Sequence, residues 1–543
     1  MNFIYFCFFL SIALADFSIS NTLGSHMVLQ RAPNRASIYG SCDVDDEIVV
    51  ELKRMNYTAL VDENGLWRAL LPPTEADDIP YTIYVYSRKT NTMISLEDVL
   101  FGDVWFCSGQ SNMEMKIYEC FNPEKEYEEA SLYPNLRLFT LAHNEQDDHE
   151  VNDIASNQVV LHWTHPTPEA LGKNQTTYIF SAVCWHYGKS LYNKLHIPQG
   201  LVVSSVGGTM VEAWSPNEVY TEECPNDGYD KKSSMNINEI ESLQDPNKHW
   251  SSLWNGMVYP FLRMTIKGVL WYQGEANRVN PGNKLEKSGY ACRFPAMIRS
   301  WRKYFSQIEG TTSSTFPFGF VSLSGWCLSG ACQPLKETPT TIYGGAVLRW
   351  SQQAEHIFVP NNDLENVFVA MSYDLEDSNV PIVKKGVIHP RDKESVGQRL
   401  ALSALHEVYH YNNTYTGPIL NGCSINNNTL TIEFDNSLLN GEFIAIKQTF
   451  GYDIQIKHKE WYPVSILNVP TSSSILLNID SIQDTITGLR YAWRWNPCCP
   501  LVSTDTPYVK CIERSCAVYT SNSDLPAVPF TVSIENNKCV LPS

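Results

Sequence analysis

Apolar and polar positions along the chain follow three regimes. Up to about residue 100 the pattern is that of β-structure. Residues 57–61 and 66–71 flank Asn64-Gly65, a strong short-hairpin signal, and residues 81–86 are rich in β-branched and aromatic side chains. From about 101 to 410, short apolar runs alternate with helical stretches. The runs are 104–107, 200–206, 266–272, 318–323 and 367–373, and residues 181–195 give a helix between them. This alternation predicts βαβ units around a parallel sheet, an α/β fold. Val396, Leu400, Ala404 and Val408 recur every fourth residue and predict a last helix, entered through His389-Pro390. Beyond 411 the alternation of Leu430, Ile432 and Phe434 is again that of strands. The expected organisation is a β-domain at 16–100, an α/β domain at 101–410 and a β-rich domain at 411–543.

Residues 1–15 read as a signal peptide, apolar almost throughout and ending Ala13-Leu14-Ala15. No later apolar run is long enough for a membrane anchor. Of 15 cysteines, Cys7 lies in the leader, which leaves an even number. Cys327 with Cys332, Cys498 with Cys499 and Cys511 with Cys516 have the look of disulfide partners, although spacing does not fix pairing. Zinc is disfavoured because no Cys-x-x-Cys occurs. Asn56, Asn174, Asn412 and Asn427 head glycosylation sequons. Together these features predict the secretory route, ending in secretion or in the lysosome. A formal net charge of −19 argues against nucleic acid or an anionic membrane as partner.

Open parallel sheets place their sites beyond the carboxyl ends of the strands. Ser111, Gly207-Gly208, Gln273 and Asp374 each follow an apolar run. Ser111, in Gly109-Gln110-Ser111-Asn112-Met113, stands where a strand turns into a helix. There its hydroxyl is lifted out of the sheet and its N–H is available to an oxyanion. Met113 replaces the second glycine of the α/β-hydrolase elbow. Gly207-Gly208-Thr209 presents backbone N–H groups, Trp271-Tyr272-Gln273-Gly274-Glu275-Ala276-Asn277 presents two amides and a carboxylate, and Ile388-His389-Pro390 supplies a histidine before a helix. Each segment taken singly has an ordinary structural reading.

Taken together, in this order and spacing, the four segments resemble those of the SGNH-type carbohydrate esterases, most closely the branch acting on O-acetylated sialic acids. The likeness extends to His26-Met27-Val28-Leu29-Gln30, Glu212-Ala213-Trp214, Leu489-Arg490-Tyr491-Ala492-Trp493 and Leu525-Pro526-Ala527. The resemblance implies a three-layer α/β/α, flavodoxin-like core with β-rich domains at both ends. It implies Ser111 as nucleophile and His389 as general base and acid. The oxyanion donors it implies are the N–H groups of Ser111 and of Gly207 or Gly208, with the side-chain amide of Gln273 or, second, Asn277. It implies removal of acetyl from sialic acid, with the 9-O position as the preferred guess, and no metal or organic cofactor. Other acetylated sugars, glycoside hydrolysis by Glu275 with Asp374, and an inactive sialoside-binding protein are the alternatives. The family's usual acid lies three residues before the histidine, where this chain has Gly386. Asp374 is the first substitute, Asp392 and Glu275 the next, and a dyad stays open. Arg349 and Arg391 are candidates for the sialate carboxylate, and Trp271 for a sugar face. The sequence leaves the oligomeric state open.

Overall fold

The computed structural model describes residues 17–144, 149–174, 179–226, 250–278, 285, 287–325, 345–377, 388–498 and 514–542. The leader and Cys327, Cys332, Cys499 and Cys511 lie outside these residues.

The architecture is mixed α/β. Its centre is a parallel sheet built from the expected apolar runs. With β1 at Val28–Gln30, β2 at Thr92–Gly109, β3 at Leu136–Leu141, β4 at Val159–Thr164, β5 at Gln199–Ser205, β6 at Gly268–Tyr272, β7 at Phe318–Ser322 and β8 at Val367–Met371, the order is β4-β3-β5-β2-β6-β7-β8. All neighbours from β3 to β8 pair in parallel, and β4 closes the β3 edge antiparallel. The principal helices are α1 (Ser111–Glu114), α2 (Ala182–Leu195), α3 (Gly289–Phe305), α4 (Gly345–Gln352) and α5 (Lys393–Glu407).

Successive side chains of a strand point to opposite faces. Trp105 meets Tyr187 of α2 edge-on, at 5.1 Å between ring centroids. Its neighbour Phe106 meets Trp301 and Phe305 of α3. Helices therefore cover both faces of β2. Cys107, on the Trp105 side, is joined to Cys184 of α2 by a disulfide. A parallel strand covered on both sides reads as a continuous apolar run, and this is why these strands were legible.

The expected break at residue 100 falls inside β2. The first half of that strand pairs antiparallel with Asp77–Ser87 and parallel with β1, and its second half forms the middle of the parallel sheet. The Asn64-Gly65 hairpin forms as read, with Leu60–Val61 pairing Leu66–Leu70 and Gly65 at φ +75°. The C-terminal region is a nine-stranded antiparallel sheet from Leu420 to Val540. Cys498 pairs with Cys516, so the adjacent-cysteine reading of Cys498 with Cys499 and of Cys511 with Cys516 is corrected. The other described bridges, Cys224–Cys292 and Cys423–Cys539, also join distant segments.

Trp105 is fully buried between Tyr187 and Phe368. Trp105→Ala should therefore cost about 3–5 kcal/mol of stability, read as a lower urea midpoint of unfolding.

Candidate active site

β2 ends at Gly109, whose φ is +134°. A side chain there would stand 2.3 Å from the carbonyl oxygen of Tyr272, so only glycine lets β2 run this close to β6. Gln110 N–H then donates to that same carbonyl at 2.9 Å, and the chain turns into α1 at Ser111. Ser111 is half-buried, at the mouth of the turn.

His389, 278 residues further on, brings its Nε2 to 2.7 Å from Ser111 Oγ. Its loop is tied down on both sides. Asn112 donates its amide to Ile388 O at 2.8 Å, while Lys393 Nζ donates to Asn112 Oδ1 at 2.7 Å and to Pro390 O at 2.5 Å. The second partner of the Asn112 amide is Glu275 Oε1, at 2.5 Å. Burial pushes the Glu275 carboxyl above the ordinary glutamate value, against the pull of Asn112 and Lys393. Asn112 and Lys393 were not singled out in the sequence, although Asn112 lies within the serine segment.

Gly207 passes directly over the serine. A Cβ on it would stand 3.3 Å from Ser111 Cβ and 2.8 Å from Glu114 Oε2. Gly208 follows at φ +78°, exposed, with open space beside it. The two expected amides point elsewhere. Gln273 Nε2 donates to Thr209 O at 2.9 Å and to Asn277 Oδ1 at 2.8 Å. Asn277 Nδ2 donates to Glu212 Oε2 at 2.8 Å, and its oxygen also accepts from Val211 N. Both side chains are fully buried, so their role as oxyanion donors is corrected to one of bracing the turns after β5 and β6.

The amide that does face Ser111 is that of Gln110. Its Oε1 accepts from Ala276 N at 3.2 Å and from Gln273 Nε2 at 3.3 Å, which turns its Nε2 toward Ser111 Oγ at 3.4 Å. Because a backbone N–H claims the oxygen, the amide's orientation is fixed by the fold. Gln110 was visible in the segment only as the residue before the serine.

The three substitute acids have other partners. Asp374 is fully buried and holds Arg399 through both oxygens, at 2.6 and 2.9 Å, with Tyr519 OH also on Oδ2. Its expected place behind His389 is therefore corrected. Asp392 caps α5, accepting from Ser395 N at 2.9 Å and from Arg514 at 2.8 Å. Glu275 is held by Asn112. The substrate-binding expectations change as well. Arg349 is buried and donates to the carbonyls of Leu323 and Arg494. Arg391 is paired with Asp377, at 2.6 and 3.1 Å, over the ring of Phe121. Trp271 is fully buried against Trp214 and Trp301, so it offers no sugar platform. A cavity of about 330 Å³ opens beside α1, lined by Glu114, Lys116, His143, Ser181 and Ser205 among others.

Burial opposes ionisation of Asp392, but hydrogen bonds from Ser395 and the Arg514 charge prevail and hold its carboxyl below 3.8. A lowered carboxyl stabilises the fold above its unfolded value and loses that contribution as pH falls through the folded one. Asp392→Ala should cost about 1 kcal/mol at pH 5. Its deficit against wild type should shrink as thermal melts are taken toward pH 3.

Residues 101–309 match the family model described as carbohydrate esterase, sialic acid-specific acetylesterase, and residues 421–534 match that of the sialate O-acetylesterase C-terminal domain. The chain is 32% identical to the sialate O-acetylesterase of Mus musculus, over 96% of this chain and 95% of that one. It is 34% identical to the Homo sapiens protein of the same name, over 95% and 93%. A crystal structure of a carbohydrate acetylesterase from Xanthomonas citri has a similar fold, with a TM-score of 0.72 at 24% identity, over 96% of this chain and 99% of that one. The chain belongs to the sialate O-acetylesterase family.

Proposed function

We propose that this chain removes O-acetyl groups from sialic acids through an acetyl-serine intermediate on an SGNH-type three-layer core. The observation that carries the mechanism is the 2.7 Å contact between Ser111 Oγ and His389 Nε2 at the end of the central strand. His389 takes the hydroxyl proton as Oγ attacks the acetyl carbonyl. The same nitrogen then returns the proton to the departing sugar oxygen. In the second half-reaction it activates the water that releases acetate.

The tetrahedral oxyanion receives hydrogen bonds from the N–H of Ser111, from Gly207 or Gly208, and from the Gln110 amide. One such donor is worth about 3–4 kcal/mol in serine hydrolases. The loop clamp built by Asn112 and Lys393 orients His389. Glycoside hydrolysis is disfavoured because Glu275 and Asp374 are buried and engaged. The 9-O-acetyl preference is retained as a proposal.

Acetate release from 9-O-acetylated N-acetylneuraminic acid tests this. Ser111→Ala should abolish it, and release unchanged in that variant would remove the serine mechanism. Gln110→Ala should lower kcat by about 10²–10³ with KM nearly unchanged, the signature of a donor used in the transition state.

We also propose passage through the secretory route, to secretion or the lysosome. The four sequon asparagines are exposed, and the described disulfides suit an oxidising compartment. Protein from a secreting animal cell line should gain mobility on endoglycosidase treatment, stepwise on Asn→Gln change at Asn56, Asn174, Asn412 and Asn427. Among the described residues no helix is long and apolar enough to cross a membrane.

A further inference from the structure

Part-way along β2, well before the turn that carries Ser111, three side chains from separate parts of the chain converge at Asp98. His26 Nδ1 and His165 Nε2 each lie 2.8 Å from the same oxygen, Asp98 Oδ2. The three ligand atoms lie within 4.8 Å of one another. We propose that His26, Asp98 and His165 form a binding site for a divalent transition metal of the zinc class.

The backbone has been shaped to bring them together. β1 and β2 pair in parallel with Val28 opposite Leu100. His26 comes two residues before Val28 and Asp98 two before Leu100, so the paired strands bring both into the same neighbourhood. His26 N–H donates to Glu97 O at 2.8 Å and holds that register beyond the strand. His26 has φ +68° and Asp98 φ +54°, in the left-handed region that residues with a Cβ occupy at some energetic cost. His165 enters from the residue after β4. Arg137, on β3, donates to both oxygens of Asp98 at 3.1 Å. It fixes the orientation of the carboxylate, as hydrogen-bond donors around metal-bound carboxylates do.

The ligand chemistry selects the metal. Two imidazoles and one carboxylate suit zinc, copper or nickel, whereas calcium and magnesium take oxygen ligands. Zinc at about 2.0–2.1 Å from each ligand atom needs those atoms roughly 3.3 Å apart. The two N–O contacts would open by about 0.5 Å, within the reach of side-chain rotation. The side chains of His26, Asp98 and His165 are 46%, 26% and 40% exposed, so the ion has an entry path and room for water in its remaining positions. Sequence spacing gave no sign of the site, because its residues are scattered from 26 to 165 and include no cysteine. A bound ion would tie the N-terminal segment to the parallel sheet and would take no part in ester hydrolysis.

The test uses the full glycosylated protein, stripped with chelator, exposed to zinc chloride and desalted. Wild type should retain about one equivalent of zinc by elemental analysis and melt at a higher temperature with zinc than with magnesium. His26→Ala and His165→Ala should each lose both effects while still releasing acetate at the wild-type rate, which reports an intact fold. The gentler His26→Gln/His165→Gln pair gives the same reading if either alanine variant folds poorly. No zinc retained by wild type, or the same amount retained by the glutamine pair, overturns the proposal.

Discussion

The amide of Asn112 joins the two halves of the site. Ser111 and His389 are 278 residues apart, and a 2.7 Å contact between them has to be maintained against the entropy of a very long loop. The contact itself is too weak to do that. It is held by Asn112, on the serine's own turn, which bonds Ile388 O on one side of the histidine and receives Lys393 on the other. Lys393 in turn bonds Pro390 O. The histidine is thus fixed through the residues before and after it, and α5 inherits its starting point from the same bonds. Arg399, nearly two turns further along α5, ties that helix to Asp374 and to Met371 O at the end of β8. Position of His389, start of the helix and docking of the helix on the sheet form one connected set.

Strand bodies were legible for a simple reason. A parallel sheet covered on both faces needs apolar residues at every position, and 104–107, 268–272, 318–322 and 367–371 supply them. The same fact explains why Trp271 was misread as a sugar platform: no residue within such a strand reaches solvent. Leu136–Leu141 is as buried as the others but begins with an arginine in its second position, and Arg137 broke the run. The disulfides were illegible because those described join residues 18 to 116 apart, and chain proximity says nothing about such pairs. That Ser111 and His389 would meet was legible because their segments resemble a known set. The partners of the polar side chains around them were not, since a sequence does not state which way an amide points.

Asp374 makes the point about charge. It follows β8, as a triad acid would, but Arg399 is buried on α5 directly across from it. Two buried charges with good geometry satisfy each other, and leaving either alone would be strongly destabilising. Once Arg399 is present at that level, Asp374 is committed to it. The Arg399 guanidinium stays charged above its ordinary value because the Asp374 charge and hydrogen bonds outweigh its burial. Asp392 is committed in the same way, to the first turn of α5 and to Arg514 from the C-terminal region. The C-terminal region thus reaches the start of α5 through Arg514 and the end of β8 through Tyr519 on Asp374, and its fold bears on the position of His389.

Ends of strands are where backbone donors and acceptors leave the ladder and need new partners. A polar residue placed there has two possible employments: to satisfy the scaffold, or to face a substrate. Gln273 and Asn277 take the first, because Thr209 O and Val211 N in the turn after β5 would otherwise be buried without partners. Their bonding decides the fate of Gln110. With Ala276 N and the Gln273 amide both directed at its oxygen, Gln110 has only its nitrogen left to turn outward, and it turns toward Ser111. The amides expected at the oxyanion are the ones that aim the amide facing Ser111. A residue one step from the active atom can be set by bonds that never touch substrate, and a sequence reading that ranks residues by type and strand-end position will name the supports before the donor they hold.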